Sequence, residues 1–444
     1  MNIKNKNITI MGGGISGIGA AQLASYLGAN VFLSDNKIIH HDFKHCISYE
    51  EKAHTEKCYE CDFAIISPGI PTNNTFFNQF KERDIQLISE IEFASWYTDA
   101  PIIGITGSNG KSTTVSILDS IFSHEYESTY MGGNIGTPFS LNVLNENKYN
   151  AKNAIHILEL SSFQLEKIKK FKPYIACILN LSADHLDRYP SIADYYNAKL
   201  NITKNLDKKC YLVYNKQNEN FYAGLEEKTN IIKFNGGISD SDLFFNNSKI
   251  VHSKKNTALI DYEKIQLQGS HNIENILACI QIAKIFNINK TTIKNIIENF
   301  KPLNHRMELV KTNDGITYIN DSKATNTESA IKAIQSSDKT TILILGGYSK
   351  GEIDYREALG MKFDNISHII CYGLEGKNIY DQLKDKYKCK YIADFKDAVK
   401  TSIQLAEINH RVLLSPACSS YDQFNNFEER GDEFKQIVKE HTNL

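Results

Sequence analysis

The run Gly107-Ser108-Asn109-Gly110-Lys111-Ser112-Thr113-Thr114 lies between the apolar stretch Ile102-Ile103-Gly104-Ile105-Thr106 and a helical stretch from Val115, and few folds admit that order. A buried strand that runs through a glycine-containing loop into a helix is a unit of a doubly wound α/β sheet, whose ligand crevice lies at the strand C-termini. There the loop N–H groups and the helix N-terminus can surround phosphate oxygens. Lys111 can add positive charge, and the Ser112 hydroxyl can reach a magnesium ion. The loop is two residues shorter than the full Walker A pattern. A solvated lysine on a plain turn explains less, because strand, loop, Lys-Ser pair and helix occur in order.

The same alternation recurs along the chain. Ile8 to Met11, Val31 to Leu33 and Phe63 to Ile66 read as strands, with a helical stretch from Ile18 to Leu27. A new unit begins near Pro101, with further buried strands at Ile155 to Leu160 and Ile175 to Leu181. Residues 205–268 are rich in Lys and Asn, with short β-like runs, and suggest a peripheral sheet. Ile273, Ile276, Leu277, Ile280 and Ala283 recur at helical spacing, and Pro302 and Asn304 break the pattern. Strand-like runs at 316–319, 342–345, 369–372 and 412–414 then suggest a third α/β unit. At roughly 150 residues per domain, 444 residues give about three domains, and we expect them at 1–97, 98–301 and 302–444.

Lys plus Arg number 50 against 52 Asp plus Glu, so no global charge argues for nucleic acid or an anionic membrane as partner. No stretch has the length and apolarity of a membrane span, and the N-terminus lacks the pattern of a signal peptide. The nine Cys are scattered. The close pair Cys58 and Cys61 lacks a second pair or a nearby His cluster to complete a zinc site, so reduced thiols in a cytoplasmic protein are expected.

Gly12-Gly13-Gly14-Ile15-Ser16-Gly17, with Asp35 closing the next strand, has the form of a dinucleotide fingerprint. Taken alone it fits NAD, another nucleotide diphosphate or a structural tight turn. Glu159 ends a probable strand, His185 lies just beyond another, and Lys199 follows in Tyr195-Tyr196-Asn197-Ala198-Lys199-Leu200. Each has an ordinary structural use, but their joint position after a phosphate loop points to a metal site.

Together these motifs resemble the Mur ligase family, marked by a shortened phosphate loop, a Glu after a strand, a His before a helix, and a late Arg and Asp. The match runs from Gly12 to Gly431. Asn320-Asp321-Ser322-Lys323-Ala324-Thr325-Asn326 and Ser415-Pro416-Ala417-Cys418-Ser419-Ser420-Tyr421-Asp422-Gln423-Phe424 resemble the branch that adds D-glutamate. The resemblance implies a Rossmann-like UDP-binding domain, a central P-loop ATPase-like domain and a C-terminal Rossmann-like domain. It implies a cytoplasmic monomer that uses ATP and two Mg2+ ions to join D-glutamate to UDP-N-acetylmuramoyl-L-alanine, through an acyl phosphate, in peptidoglycan precursor synthesis.

By the same resemblance, Gly107, Ser108, Asn109, Gly110, Lys111, Ser112, Thr113, Asn275, Arg306 and Asp321 would bind ATP. Ser112 and Glu159 would hold one metal ion, and His185 with a carbamylated Lys199 the other; Lys111, Glu159, His185 and Lys199 would form the catalytic set. Ile15, Ser16, Asp35, Asn36, Ser67, Pro68, Gly69, Asn134, Ser161 and Gln164 would bind the UDP substrate. Lys323, Thr325, Lys350, Ser420, Tyr421 and Phe427 would bind D-glutamate. Tyr348 and Ser349 stand where the family often has an acidic residue, and Tyr421 where it commonly has an aliphatic one. Other readings are a family ligase for a different amino acid, a nicotinamide-dependent dehydrogenase built on Gly12 to Gly17, and a non-catalytic ATP switch. The phosphate loop argues against the dehydrogenase, and the Asn320 to Asn326 motif against the switch.

Overall fold

The computed structural model describes the chain apart from residues 40–44, 73, 185–187, 223, 236–242, 247–248, 253–256, 268, 302, 311, 313, 350–352, 360–362 and 443–444. His185 and Lys350 therefore lie outside the described residues.

The first sheet contains β1 (Asn7–Met11), β2 (Asn30–Asp35), β3 (Ser48–Glu51), β4 (Phe63–Ile66) and β5 (Gln86–Ser89). Their order is β3-β2-β1-β4-β5, and every pairing is parallel. Chain direction across the sheet reverses at β1, which opens a crevice beyond the C-termini of β1 and β4.

The second sheet contains β6 (Ile102–Thr106), β7 (Ser128–Gly133), β8 (Ala154–Glu159), β9 (Ile175–Ile178), β10 (Tyr211–Asn215), β11 (Asn230–Phe234), β12 (Leu243–Asn246), β13 (Lys249–His252) and β14 (Thr257–Asp261). Its order is β14-β13-β12-β11-β10-β9-β6-β8-β7. β6 and β8 are buried at every position, as a central parallel strand covered on both faces requires. The described strands of residues 205–268 lie at the periphery, as part of this sheet rather than as a separate one. β10 pairs in parallel with β9, and β11 to β14 extend the same row outward, ending in antiparallel pairs. Short β-like runs carry no signal of which strand they will join.

The third sheet contains β15 (Glu308–Val310), β16 (Thr317–Asn320), β17 (Thr341–Gly346), β18 (Ile366–Tyr372), β19 (Cys389–Tyr391) and β20 (Arg411–Ala417), in the order β15-β16-β20-β17-β18-β19. All pairs are parallel except β15 with β16. Buried Arg411 opens β20 and donates to the carbonyls of Ala333 and Ile334 in the last turn of the helix Thr327–Gln335, which also accept from Ser336 and Asn365 respectively. Among the described residues, no helix is long and apolar enough to cross a membrane.

The chain divides into two compact units. One comprises residues 1–181, 191–265 and 272–300, and the other residues 182–190, 266–271 and 301–444. The first unit holds two sheets because one hydrophobic core runs through both, from Ile10, Leu33 and Phe93 to Phe139, Leu158 and Phe171. A fully buried carboxylate, Glu92 on the helix Glu90–Ser95, pins them. It accepts the indole N–H of Trp96 at 2.8 Å and the consecutive backbone N–H groups of Lys169 (2.9 Å), Lys170 (2.8 Å) and Phe171 (2.7 Å).

Glu90, one residue before that helix's second position, makes a related contact. The helix Phe139–Tyr149 has no side-chain cap of its own, and Glu90 accepts the Ser140 N–H at 2.5 Å. Burial pushes the Glu90 carboxyl up to about 7 from 4.5, against the opposing pull of the Ser140 bond. Between these values the folded chain keeps a proton that the unfolded chain has lost, so this group makes stability fall as pH rises from 4.5 through 7. We expect Glu90→Gln to flatten that fall, by up to about 3 kcal/mol at pH 8 and by nothing at pH 4.5, as read by urea denaturation across the range.

Candidate active site

The phosphate loop leaves β6 through Gly107 (φ +149°) and enters the helix Lys111–Phe122 through Gly110 (φ +85°). A side chain at Gly110 would be strained, and its Cβ would lie 2.1 Å from Asn275 Oδ1, so Asn275 packs directly on the loop. No side chain caps the helix start. Lys111 folds back, its Nζ donating to the carbonyls of Gly107 (2.8 Å) and Ser108 (2.9 Å). Ser112 and Thr113 are buried in the first helical turn.

Lys199, on the helix Ile192–Leu200, reaches the same loop. Its buried Nζ donates to the Gly107 carbonyl at 2.9 Å. Tyr195, one turn earlier, lies with its ring 4.6 Å from that Nζ and donates its hydroxyl to Ser108 Oγ at 3.3 Å.

Glu159 is the last residue of β8, level with Ile105 of β6, and is buried. Asn134 Nδ2 donates to its Oε1, and the Asn134 N–H to its carbonyl, both at 2.8 Å. Ser161 and Gln164 form a reciprocal capping box at the start of the helix Ser162–Leu165. Glu159 and Ser112 present only oxygen donors near a phosphate cradle, which suits a hard cation such as magnesium.

In the first sheet the glycine loop follows β1. The Gly13 N–H donates to Asp35 Oδ2 at 2.6 Å and the Lys37 N–H to Asp35 Oδ1 at 2.8 Å, so Asp35 shapes the loop with both oxygens. A Cβ at Gly17 would lie 1.8 Å from the Gly12 carbonyl, which makes this glycine a requirement of the close loop-to-helix approach. Ser67, after β4, donates its N–H to Met11 and its hydroxyl to the Gly12 carbonyl. Ile15, Asn36 and Gly69 are exposed, whereas Ser16 and Pro68 are half-buried.

The remaining candidates lie in the second unit. Asp321 accepts the Met307 N–H at 3.1 Å and the Ser415 hydroxyl at 2.9 Å. Burial pushes its carboxyl up to about 7, opposed by those two bonds and by the Arg306 charge. The Lys323 ammonium lies 3.9 Å from the centre of the Phe427 ring. The Thr325 N–H donates to the Lys323 carbonyl at 2.9 Å. Ser420 is buried and Tyr421 exposed.

Three residues that the sequence reading missed hold these parts in place. Asn180, just past β9, accepts the Ser108 N–H on its carbonyl (3.0 Å) and the Asn109 N–H on its side chain (2.8 Å), and its Nδ2 donates to the Asn109 carbonyl (3.1 Å). Tyr195 is the second. Arg430 is the third: fully buried, it donates to the hydroxyl and carbonyl of Ser322 and to the carbonyl of Cys418, and so ties the two late motifs together. An Asn at a strand end was a weak available signal for the first; an Arg within a polar helix offered none.

Residues 8–75 match the MurD N-terminal domain, 105–283 the Mur ligase middle domain and 305–418 the Mur ligase glutamate ligase domain. The chain is 36% identical to the UDP-N-acetylmuramoylalanine--D-glutamate ligase of Christiangramia forsetii, over 98% of this chain and 99% of that protein. It is 35% identical to the protein of the same name from Clostridioides difficile, over 99% of each. The chain belongs to the Mur ligase family. The fold agrees: a pseudomurein peptide ligase type C from Methanothermus fervidus superposes with a TM-score of 0.62 at 17% identity, covering 98% of this chain and all of that one. The UDP-N-acetylmuramate-alanine ligase MurC from Thermotoga maritima does so with a TM-score of 0.61 at 16% identity and the same coverage.

In this Mur ligase, Asn180→Ala removes two loop-shaping side-chain bonds and leaves the core intact. At about 1 kcal/mol for each bond, nucleotide affinity should fall roughly 10- to 30-fold with little change in melting temperature, measurable by calorimetry with a non-hydrolysable ATP analogue.

Proposed function

We propose that this chain is an ATP- and magnesium-dependent ligase that joins D-glutamate to UDP-N-acetylmuramoyl-L-alanine, working as a cytoplasmic monomer in peptidoglycan precursor synthesis. The observation that carries the reading is a glycine-cradled phosphate loop, with Lys111 and Lys199 on its carbonyls, in a chain similar end to end to proteins named for that reaction. We further propose three working domains at 1–97, 98–301 and 302–444, supported by the confinement of each sheet to one of these segments.

A carboxylate resists amine attack until one oxygen becomes a leaving group. Transfer of the ATP γ-phosphoryl group to the substrate carboxylate makes an acyl phosphate; the D-glutamate amine then attacks the carbonyl carbon, and phosphate leaves with the former carboxylate oxygen. The Gly107 to Thr113 amides and Lys111 would hold the ATP phosphates, a preorganised arrangement that stabilises charge in phosphoryl transfer. Asn275, packed on the loop, with Arg306 and Asp321, would complete ATP binding. Ser112 and Glu159 would hold one magnesium ion and His185 with Lys199 a second; bound there, the metal supplies positive charge at the transferring group.

Carbamylation of Lys199 is part of this proposal. A buried ammonium would repel a cation, whereas reaction of the neutral amine with CO2 gives an N-carboxylate and a proton, and the new oxygens suit magnesium. Ile15, Ser16, Asp35, Asn36 and Ser67 to Gly69 would take the UDP portion of the substrate, and Asn134, Ser161 and Gln164 its distal part. Lys323, Thr325, Lys350, Ser420, Tyr421 and Phe427 would receive D-glutamate, with cationic and donor groups for its carboxylates and the Phe427 ring against its methylenes.

The test is phosphate release with ATP, magnesium, UDP-N-acetylmuramoyl-L-alanine and each amino acid in turn. D-glutamate should be used at least about 100-fold better than L-glutamate or L-lysine, the size expected when a buried carboxylate loses its partner. Lys111→Ala should fold normally and lose ligation. Faster turnover with L-glutamate, or full activity of Lys111→Ala at saturating ATP, would overturn the reading. For Lys199, we expect a carbamate resonance with 13C-bicarbonate, absent from Lys199→Ala, and partial recovery of that variant's activity by a small added carboxylate.

A further inference from the structure

Away from the candidate active site, the first sheet carries a group of side chains with the chemistry of metal ligands. Glu50 in β3, His54 in the loop after it and Cys58 in the short turn Glu56–Tyr59 bring a carboxylate oxygen, an imidazole nitrogen and a sulfur within 4.8 Å of one another. The Cys58 thiol donates to Glu50 Oε1 at 3.2 Å. The fully buried Ser34 hydroxyl, at the end of β2, is 2.6 Å from the same oxygen and 2.6 Å from His54 Nδ1. The spacing of Cys58 and Cys61 argued against zinc, but the fold gives Cys58 different companions from those that spacing considers.

We propose that Glu50, His54 and Cys58 bind a borderline divalent transition-metal ion, of which zinc is the type, with Ser34 Oγ or a water as fourth ligand. Mixed sulfur, nitrogen and oxygen donors favour zinc, cobalt or nickel over magnesium, which takes oxygen alone. Metal arms of about 2.0–2.3 Å place ligand atoms roughly 3.3–3.7 Å apart around a tetrahedron. The Cys58–Glu50 edge, at 3.2 Å, is within a few tenths of an ångström of that length, the other pairs among the three need to close by no more than about 1.5 Å, and Ser34 Oγ, 2.6 Å from its neighbours, would open by about 0.7 Å, all side-chain movements.

The ligands are also oriented from behind, as metal ligands characteristically are. Thr55 donates its hydroxyl to Glu50 Oε2 at 2.6 Å and its N–H to Oε1 at 3.0 Å. The His54 ring stacks on Phe76 with centroids 5.3 Å apart and meets the edge of Phe77 at 6.5 Å. Cys58 is buried, while Glu50 and His54 are half-buried and give an ion a route from solvent. Binding exchanges the thiol proton for the metal, forming a metal–sulfur bond and releasing one proton to solvent. The ion would join the ends of β2 and β3, and so brace Asp35 and the glycine loop that Asp35 holds.

The test uses the full chain, stripped with a chelator and titrated with cobalt(II) in excess magnesium. One equivalent should give a near-ultraviolet thiolate-to-cobalt charge-transfer band, which an oxygen-donor site cannot produce, and zinc should bleach it. Cys58→Ser and His54→Ala should lose the band. Thr55→Val, which keeps every ligand, should weaken cobalt binding about 10- to 100-fold. Cys279→Ser, altering a buried thiol elsewhere, should keep the band. Absence of the band at one equivalent, its persistence in Cys58→Ser, or full affinity in Thr55→Val would overturn the proposal.

Discussion

The architecture of the larger unit turns on one carboxylate with no charged partner among its described bonds. Glu92 receives three consecutive backbone N–H groups and an indole N–H in a region from which water is excluded. Charge-assisted bonds of this kind are stronger than neutral ones, and removing the acceptor would strand several donors at once. The penalty for separating the two sheets is thus concentrated at one residue, with the shared hydrophobic core adding non-directional support. The glycine loop after β1 and the phosphate loop after β6 consequently sit in one body.

The phosphate loop depends on similarly local constraints. Gly110 has no room for a Cβ because Asn275 fills it, and Asn180 bonds three loop atoms. These contacts shape the loop in advance, so that binding need not supply all the free energy of ordering it. Arg430 does the equivalent in the second unit, where a single guanidinium holds Ser322 and Cys418 in register.

The central strands were legible because burial on both faces demands uninterrupted apolar runs: Ile102 to Ile105, Ile155 to Leu158 and Ile342 to Leu345 could hardly be anything else. The short edge strands β3, β15 and β19 were not, since partial exposure dilutes their pattern, and the membership of β10 to β14 in the second sheet depends on pairing that no local run encodes. Among site residues, glycines and a lysine beside a strand end were readable from chemistry, and the late motifs only through resemblance. Asn180, Tyr195, Arg430 and Glu92 act through partners distant in sequence.

Lys111 and Lys199 both donate to the carbonyl of Gly107, and Lys111 donates to that of Ser108 as well. The shared Gly107 oxygen is a neutral dipole that solvates positive charge at the loop. On the proposed reading a phosphate would enter by exchange at Lys111, taking over a cation that the protein's own backbone already solvates. The cost of keeping such a site ready falls on the loop's own peptide dipoles, that of Gly107 above all, which the glycine conformation turns toward both side chains.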